Sequence, residues 1–162
     1  MMRRITMNSV LAAALLGLVS TAHAACNSAT IAAQAPDSRY TLQNADTEVL
    51  DNQTGLIWQR CSVGLSGAGC ATGAASISDW KVAIELASGS WRLPNIKELT
   101  SLLETQCSSP AINATIFPAT SAAAYWASSP DTALAANAWQ VNFAAGAVSP
   151  VVKGADAFVG IF

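Results

Sequence analysis

The chain has 162 residues, of which 52% are hydrophobic and 11% charged, and its formal net charge at pH 7 is −2. This length favours a single domain. Nucleic acids and heparin-like sulfated chains are bound by clustered Lys and Arg side chains, whereas the eight Lys and Arg residues of this chain are scattered. We therefore expect neither class of polyanion among its partners.

The amino terminus has the layout of a secretory signal peptide. Arg3 and Arg4 precede an apolar run at residues 10–19, and Ala22 and Ala24 supply the small residues that precede a cleavage point. The apolar run is too short to hold the chain in a bilayer as a stable transmembrane helix. The pattern predicts export and no integral membrane span.

Cleavage after Ala24 divides the chain into a leader, residues 1–24, and one domain, residues 25–162, which we place in the periplasm, at the cell surface or in the medium. Loss of the leader removes two basic residues and the single histidine, so six basic residues face ten acidic ones and the net charge becomes −4. Lipidation of Cys26 and twin-arginine export are alternative routes, but the flanking residues match both poorly.

Four cysteines stay in the predicted mature chain: Cys26, Cys61, Cys70 and Cys107. An even number in a small exported protein indicates two disulfides, here with three alternative pairings. We favour Cys61 with Cys70, because three glycines let the chain between them turn back, which leaves Cys26 for Cys107. Zinc is the alternative, but the chain has no Cys-x-x-Cys pair, so we expect no metal.

Strand patterns begin in the amino-terminal half. Residues 39–42 alternate as in a first strand, and residues 48–60 have the pattern of a β-hairpin with turn residues at positions 51–55. Leu56 and Trp58 share one face of the second hairpin strand. We expect Trp58 in the core.

A Gly- and Ser-rich loop at residues 62–76 leads into two predicted helices. Ser78 is placed to cap a helix at residues 79–88, which has an apolar stripe at helical spacing. Gly89 ends this helix. The second helix follows at once and extends to Glu104.

The residues after Trp91 define the start of the second helix. Pro94 keeps the preceding residue extended, Asn95 is placed to cap the helix, and Glu98 completes a capping box. We expect structural roles for Trp91 and Arg92, with Arg92 hydrogen-bonded to backbone carbonyls or a carboxylate.

The carboxy-terminal third is dominated by strand patterns. They lie at residues 124–129, 138–143, 147–152 and 158–162. Along the second of these, Trp139, Val141 and Phe143 lie on one face and Gln140 and Asn142 on the other. The last run is apolar on both faces, which predicts a buried central strand. The order of elements predicts an α+β fold, in which strands from both ends of the domain share one sheet.

The sequence gives little indication of a set of catalytic residues. The mature chain has no histidine for a general base or a nucleophile pair. Two acid pairs, Asp131 with Asp156 and Glu98 with Glu104, are expected to be solvated or to cap helices. The glycines of the long loop do not precede Lys-Ser or Lys-Thr, so they do not form a phosphate loop. We expect neither enzyme activity nor a cofactor.

Six blocks of the chain, taken in order, form a recognisable pattern. They are DNQTGLIWQRC at residues 51–61, WRLPNIKEL at 91–99, PAIN at 110–113, FP at 117–118, YWASS at 125–129 and AWQVNF at 138–143. Together with Trp80 and Ala83 they resemble the Lcl C-terminal domain family. The resemblance covers nearly all of the predicted mature chain.

This resemblance implies a C-type lectin-like fold, related in pattern to the formylglycine-generating group. Such a fold sets two helices against a twisted antiparallel sheet closed by the terminal strands. The chain lacks the Glu-Pro-Asn, Gln-Pro-Asp and Trp-Asn-Asp strings of calcium-dependent sugar lectins, and no cysteine follows Cys107 where the formylglycine enzymes need one.

We therefore expect an exported, non-enzymatic binding or adhesion module that recognises a glycan or an extracellular protein. Its ligand face is predicted on the outward side chains of the late strands, which are Asp131, Gln140, Asn142, Ser149 and Lys153. One alternative is a structural subunit that oligomerises through the apolar late segment and Phe162. Another is an enzyme that uses carboxylates.

Overall fold

The computed structural model describes residues 24–160. The predicted leader, apart from Ala24, lies outside these residues, as does Phe162. Within the described range the chain folds, as predicted, into an α+β structure with two α-helices, several antiparallel sheets and two disulfides.

The structure contains twelve short strands within residues 24–160. They are β1 (Ala25–Cys26), β2 (Tyr40–Gln43), β3 (Glu48–Asp51), β4 (Ile57–Gln59), β5 (Leu65–Ser66), β6 (Thr72–Gly73), β7 (Ile77–Ser78), β8 (Cys107–Ser108), β9 (Ala124–Pro130), β10 (Asn137–Asn142), β11 (Ala147–Val152) and β12 (Ala157–Phe158). The helices are α1 (Trp80–Leu86) and α2 (Ile96–Thr100), and 3-10 turns span Asp37–Arg39 and Ala68–Cys70.

A five-stranded sheet with the order β11-β10-β9-β12-β7 forms the centre of the fold. β9, β10 and β11 pair antiparallel, whereas β12 runs parallel to β9 through the pairing of Phe158 with Tyr125. The three predicted strands before the last are confirmed to within one residue at each end. The last predicted strand has the expected interior position in the sheet and, up to residue 160, is observed as Ala157–Phe158.

Both faces of β9 and β10 are covered by core residues. Tyr125 and Val141 join a core on one face, and Trp126 and Ala138 join a second core on the other. Gln140 pairs directly with Trp126 and is only 5% exposed. The expectation that Gln140 points to solvent is therefore wrong, because its alternation with apolar residues indicated one covered face where the structure has two.

The amino-terminal strands form a separate sheet with the order β2-β3-β4. Its β3–β4 hairpin is confirmed, with Trp58 2% exposed, Leu56 packed against the core and Ile57 41% exposed on the opposite side. Among the described residues, β12 pairs only with β9 and β7. The first and last strands therefore do not share a sheet, and the prediction that they do is wrong.

The capping box of α2 is confirmed. The Asn95 side chain accepts hydrogen bonds from the N–H groups of Lys97 and Glu98, and Glu98 Oε2 accepts one from the Asn95 N–H at 2.7 Å. The helix is shorter than predicted and ends at Thr100. It ends there because the next residues turn towards 111–112: Leu103 forms a bridge with Ile112, and the Glu104 N–H donates to the Ala111 carbonyl.

The predicted cap of α1 is wrong by one residue. Ser78 belongs to β7, where it pairs with Ala157, and Asp79 caps the helix by accepting a hydrogen bond from the Val82 N–H at 2.9 Å. The helix ends at Leu86, before the predicted residue 88, because the backbone of the next residue is extended.

Both favoured disulfides are confirmed. Cys61 is bonded to Cys70 inside the Gly-rich loop, and Cys26 is bonded to Cys107, which places β1 beside β8. The Gly-rich loop also contains the small β5–β6 hairpin. Over residues 24–160, none of the helices has the length and apolar character needed to cross a membrane.

Candidate functional site

Two of the predicted ligand residues fasten the loop that joins β9 to β10. Asp131 Oδ1 accepts a hydrogen bond from the Ala133 N–H at 2.9 Å. Lys153 Nζ donates to the Ala135 carbonyl at 2.8 Å and stands 4.5 Å from the centroid of the Trp80 ring. Both charged groups therefore have local partners within the fold.

The other three predicted ligand residues lie on β10 and β11, where Gln140 pairs directly with Ser149. Asn142 closes the β10–β11 turn by accepting a hydrogen bond from the Ala144 N–H at 2.9 Å, and Ser149 is exposed on the edge strand. Gln140 is buried, and its Nε2 makes no hydrogen bond within residues 24–160. The binding role of the five residues stays a prediction.

Arg39 and Asp51 form a buried ion pair that sequence reasoning missed. Arg39 Nε donates to Asp51 Oδ1 at 2.8 Å, and Nη2 donates to Oδ2. Burial by itself raises the pKa of Asp51, but the hydrogen bonds from Arg39, Thr54 and the Gln53 N–H outweigh it and lower the pKa below its usual value. The alternation at residues 39–42 predicted the strand, but not this partner for its first residue.

Glu104 is buried, which corrects the expectation of a solvated or capping carboxylate. The residue is only 2% exposed. The carboxylate accepts hydrogen bonds from the N–H groups of Ala35 at 2.8 Å, Gln34 at 3.2 Å and Gln106 at 3.2 Å. It thereby ties the amino-terminal segment to the chain that follows α2.

Glu98 combines its capping role with an ion pair. Arg92 donates to both of its oxygens, at 2.6 and 3.0 Å. Burial tends to raise the pKa of Glu98, but the hydrogen bonds from Arg92 and the Asn95 N–H hold it below its usual value. Just beyond, the Pro94 carbonyl accepts a hydrogen bond from the Ser128 N–H at 2.7 Å, which fastens the start of α2 to β9.

Among the described residues, these acids do not form a metal-binding cluster. Over residues 24–160, no group of three His, Cys, Asp or Glu residues is arranged to hold a metal ion. A cleft of ≈650 Å³ lies between the amino-terminal segment and residues 104–119. Its buried carboxylate, Glu104, is already bonded to three backbone N–H groups.

A different surface brings several polar side chains to an aromatic ring. Two adjoining clefts of ≈450 and ≈290 Å³ share Glu48 and Trp91. We call the two clefts together the Trp91 groove. The groove is defined by six of the residues that line it, which are Asn44, Glu48, Ile57, Gln59, Trp91 and Arg92.

One wall of the groove is the outer face of the β2-β3-β4 sheet. Gln43 pairs with Glu48, and Glu48 pairs with Gln59, so these three polar residues form one row across the sheet. A second row on the same face pairs Leu50 with Ile57. Trp58 points to the opposite face and into the core.

The other wall is Trp91, in the connection between α1 and α2. The backbone N–H of Trp91 donates to the Ser88 carbonyl at 3.2 Å. The half-buried Trp91 ring packs partly against the second core. Within residues 24–160, neither the Trp91 indole N–H nor the Gln59 amide makes a hydrogen bond. Alternation in the hairpin places Glu48 and Gln59 opposite the core face, but no sequence pattern brings them to Trp91.

Comparison with curated proteins finds no match, and comparison with solved structures finds none either. A family model described as Lcl C-terminal domain matches residues 47–161. This range spans well over half of the chain and includes the groove residues Glu48, Gln59 and Trp91. The chain therefore belongs to the Lcl C-terminal domain family.

Proposed function

We propose that this domain is an exported, non-enzymatic binding module that recognises a glycan or an extracellular protein. The observation that carries the proposal is the Trp91 groove, in which the half-buried Trp91 side chain lines the same clefts as the polar side chains of Glu48 and Gln59. Recognition sites typically combine aromatic side chains with a few placed polar groups. Two disulfides are compatible with an exported location.

The bonding of the acidic side chains supports a non-enzymatic function. Asp51 is paired with Arg39, Glu98 with Arg92, and Glu104 accepts three backbone N–H groups. A general acid or base must reach the proton that it transfers. Carboxylates committed in this way stabilise the fold and leave none of the three for catalysis.

The finer fold assignment is part of the same proposal. We propose a C-type lectin-like architecture, related in pattern to the formylglycine-generating group. Its support is the pair of short helices beside a mainly antiparallel sheet. The fold alone does not specify a ligand.

A binding screen tests the proposed function. The purified, oxidised protein is presented to a panel of glycans and extracellular proteins, with Gln59→Ala and Gln53→Ala as paired variants. Gln59 lines the groove, whereas Gln53 lies exposed in the hairpin turn outside it. We expect binding to at least one probe that Gln59→Ala weakens and Gln53→Ala does not. Absence of binding across the whole panel contradicts the proposal.

A second candidate is a structural subunit, and the edge strand β11 favours it. On this strand Val148 and Val152 are 40 and 57% exposed, and Leu134 in the β9–β10 loop is 56% exposed. Residues 132–152 contain no charged side chain. Monomeric proteins usually protect sheet edges with charge, although Pro150 also protects this one. Native mass spectrometry separates the candidates: a monomer that Val152→Glu leaves unchanged contradicts assembly through β11.

A further inference from the structure

We propose that the Trp91 groove binds an uncharged sugar chain, with one sugar ring stacked on the Trp91 indole. This inference rests on the proposed function and names the ligand class of the same site. It follows from the ring, from the polar row and from the charge balance of the groove.

The indole supplies a fixed stacking surface. The face of an aromatic ring is electronegative, and the C–H groups on the faces of a pyranose ring carry small positive charges that it attracts. Trp91 is held by its backbone bond to Ser88 and by packing against the second core. Because the ring is already ordered, little conformational entropy is lost when a ligand binds to it.

The polar row supplies groups that match sugar hydroxyls. Within the groove, the Gln59 amide offers donors and acceptors and the Glu48 carboxylate offers acceptors, and Gln43 continues the row beyond the two clefts. The row crosses three strands and therefore extends over about 10 Å. Glu48 Oε1 accepts one hydrogen bond from Asn44 Nδ2 at 3.1 Å, which orients the carboxylate and leaves further lone pairs for a ligand.

The charge balance selects an uncharged chain over an anionic one. Arg92 is the cation of the groove, and its guanidinium is already paired with both oxygens of Glu98. The remaining charge on the wall is Glu48, which repels sulfate and carboxylate groups. Sugars without charge avoid this repulsion and still use the hydrogen-bonding groups.

Calorimetric titration with defined sugars tests the inference. The probes are cellohexaose, maltohexaose, mannohexaose and N-acetylchitohexaose, with heparin and dextran sulfate as anionic comparisons. We expect at least one neutral hexasaccharide to bind and to change the tryptophan fluorescence, whereas the anionic polymers bind more weakly.

Variants locate the site. Trp91→Ala is expected to weaken binding by about tenfold or more, and Trp91→Phe by less because a ring remains. Gln59→Ala is expected to weaken binding by about two- to tenfold, the loss of one hydrogen bond, while Gln53→Ala leaves it unchanged. If Trp91→Ala does not fold, Trp91→Phe and Gln59→Ala keep the test decisive.

The outcomes separate the inference from the proposed function. Binding of a neutral sugar that Trp91 and Gln59 variants leave unchanged overturns the groove assignment but not the binding function. Stronger binding of heparin or dextran sulfate than of every hexasaccharide overturns the ligand class. Binding of a protein but of no sugar overturns the inference and leaves the proposed binding function standing. If no sugar and no protein binds, both the inference and the proposed function are overturned.

Discussion

Arg39 and Asp51 form an ion pair that is almost completely buried, with side chains 9 and 0% exposed. The pair links the turn before β2 to the end of β3. Arg39 Nη1 also donates to the Ser101 carbonyl at 2.9 Å, so the same guanidinium connects the amino-terminal sheet to the residue after α2. A single side chain thus joins elements 62 residues apart in the sequence.

Arg39→Met is expected to destabilise the protein by about 3–5 kcal/mol, because it leaves the Asp51 carboxylate buried without its partner. Urea unfolding followed by circular dichroism measures the change. The matched control is Lys81→Ala, which breaks an ion pair whose side chains are 83 and 60% exposed. We expect the control to change stability by less than about 1 kcal/mol. Equal effects of the two substitutions contradict a buried role for Arg39.

Acid is expected to destabilise the fold through Asp51 and Glu98. The pKa of each is lowered in the folded state, whereas unfolded Asp and Glu titrate near about 3.9 and 4.3. Their stabilisation is therefore complete above these values and is lost as the pH falls through the lower folded pKa values. Urea unfolding between pH 7 and pH 2 measures this loss of stability. In the Glu98→Gln variant the free energy of unfolding is expected to fall less steeply as the pH is lowered. A loss that is complete above pH 5 contradicts this origin.

Alkali is expected to destabilise the fold through Tyr40. Burial raises the pKa of Tyr40 to about 12, so its stabilisation is present below the unfolded pKa and is lost as the pH rises towards the folded one. The loss between pH 9 and pH 11 is about 1 kcal/mol. Its hydroxyl makes no hydrogen bond within residues 24–160, so Tyr40→Phe is expected to stabilise the protein at pH 7 and weaken this dependence. Destabilisation by Tyr40→Phe indicates a bonded hydroxyl.

Local chemistry explains which features the sequence predicted. The capping box depends on Asn95 and Glu98, three residues apart, and the β3–β4 hairpin depends on adjacent strands and their turn. These interactions join residues that are close together in the sequence, so pattern and propensity are sufficient to predict them. The disulfides required only a count of four and a short Gly-rich loop.

Long-range contacts explain what the sequence did not predict. The buried Glu104 carboxylate accepts hydrogen bonds from backbone N–H groups about 70 residues away in the sequence. No periodicity in the sequence predicts these contacts. Gln140 is buried because the central sheet is covered on both faces, which alternation along one strand does not reveal. For the same reason the groove unites Trp91 with Glu48 and Gln59 only in the folded chain.

Glu104→Gln is expected to destabilise the protein by about 1–3 kcal/mol. The amide that replaces one carboxylate oxygen cannot accept a hydrogen bond, so at least one of the Gln34, Ala35 and Gln106 N–H groups loses its partner. Hydrogen exchange is expected to accelerate at residues 27–36 before the rest of the fold. The exposed Glu85→Gln is the control, and unchanged exchange at Ala35 in Glu104→Gln contradicts the anchoring role.

The two disulfides are expected to contribute unequally, because they close loops of very different length. Cys26 and Cys107 are 81 residues apart, whereas Cys61 and Cys70 are 9 apart. Loop-closure entropy in the unfolded chain then gives about 4–5 kcal/mol for the long bridge and about 2–3 kcal/mol for the short one. Urea unfolding of the paired Cys26→Ser/Cys107→Ser and Cys61→Ser/Cys70→Ser variants measures both. The long-range variant is also expected to lose the β1–β8 pairing, with faster exchange at residues 25–27. A larger loss from the short bridge shows that native contacts around Cys70, which is 2% exposed, outweigh the entropy of the unfolded chain.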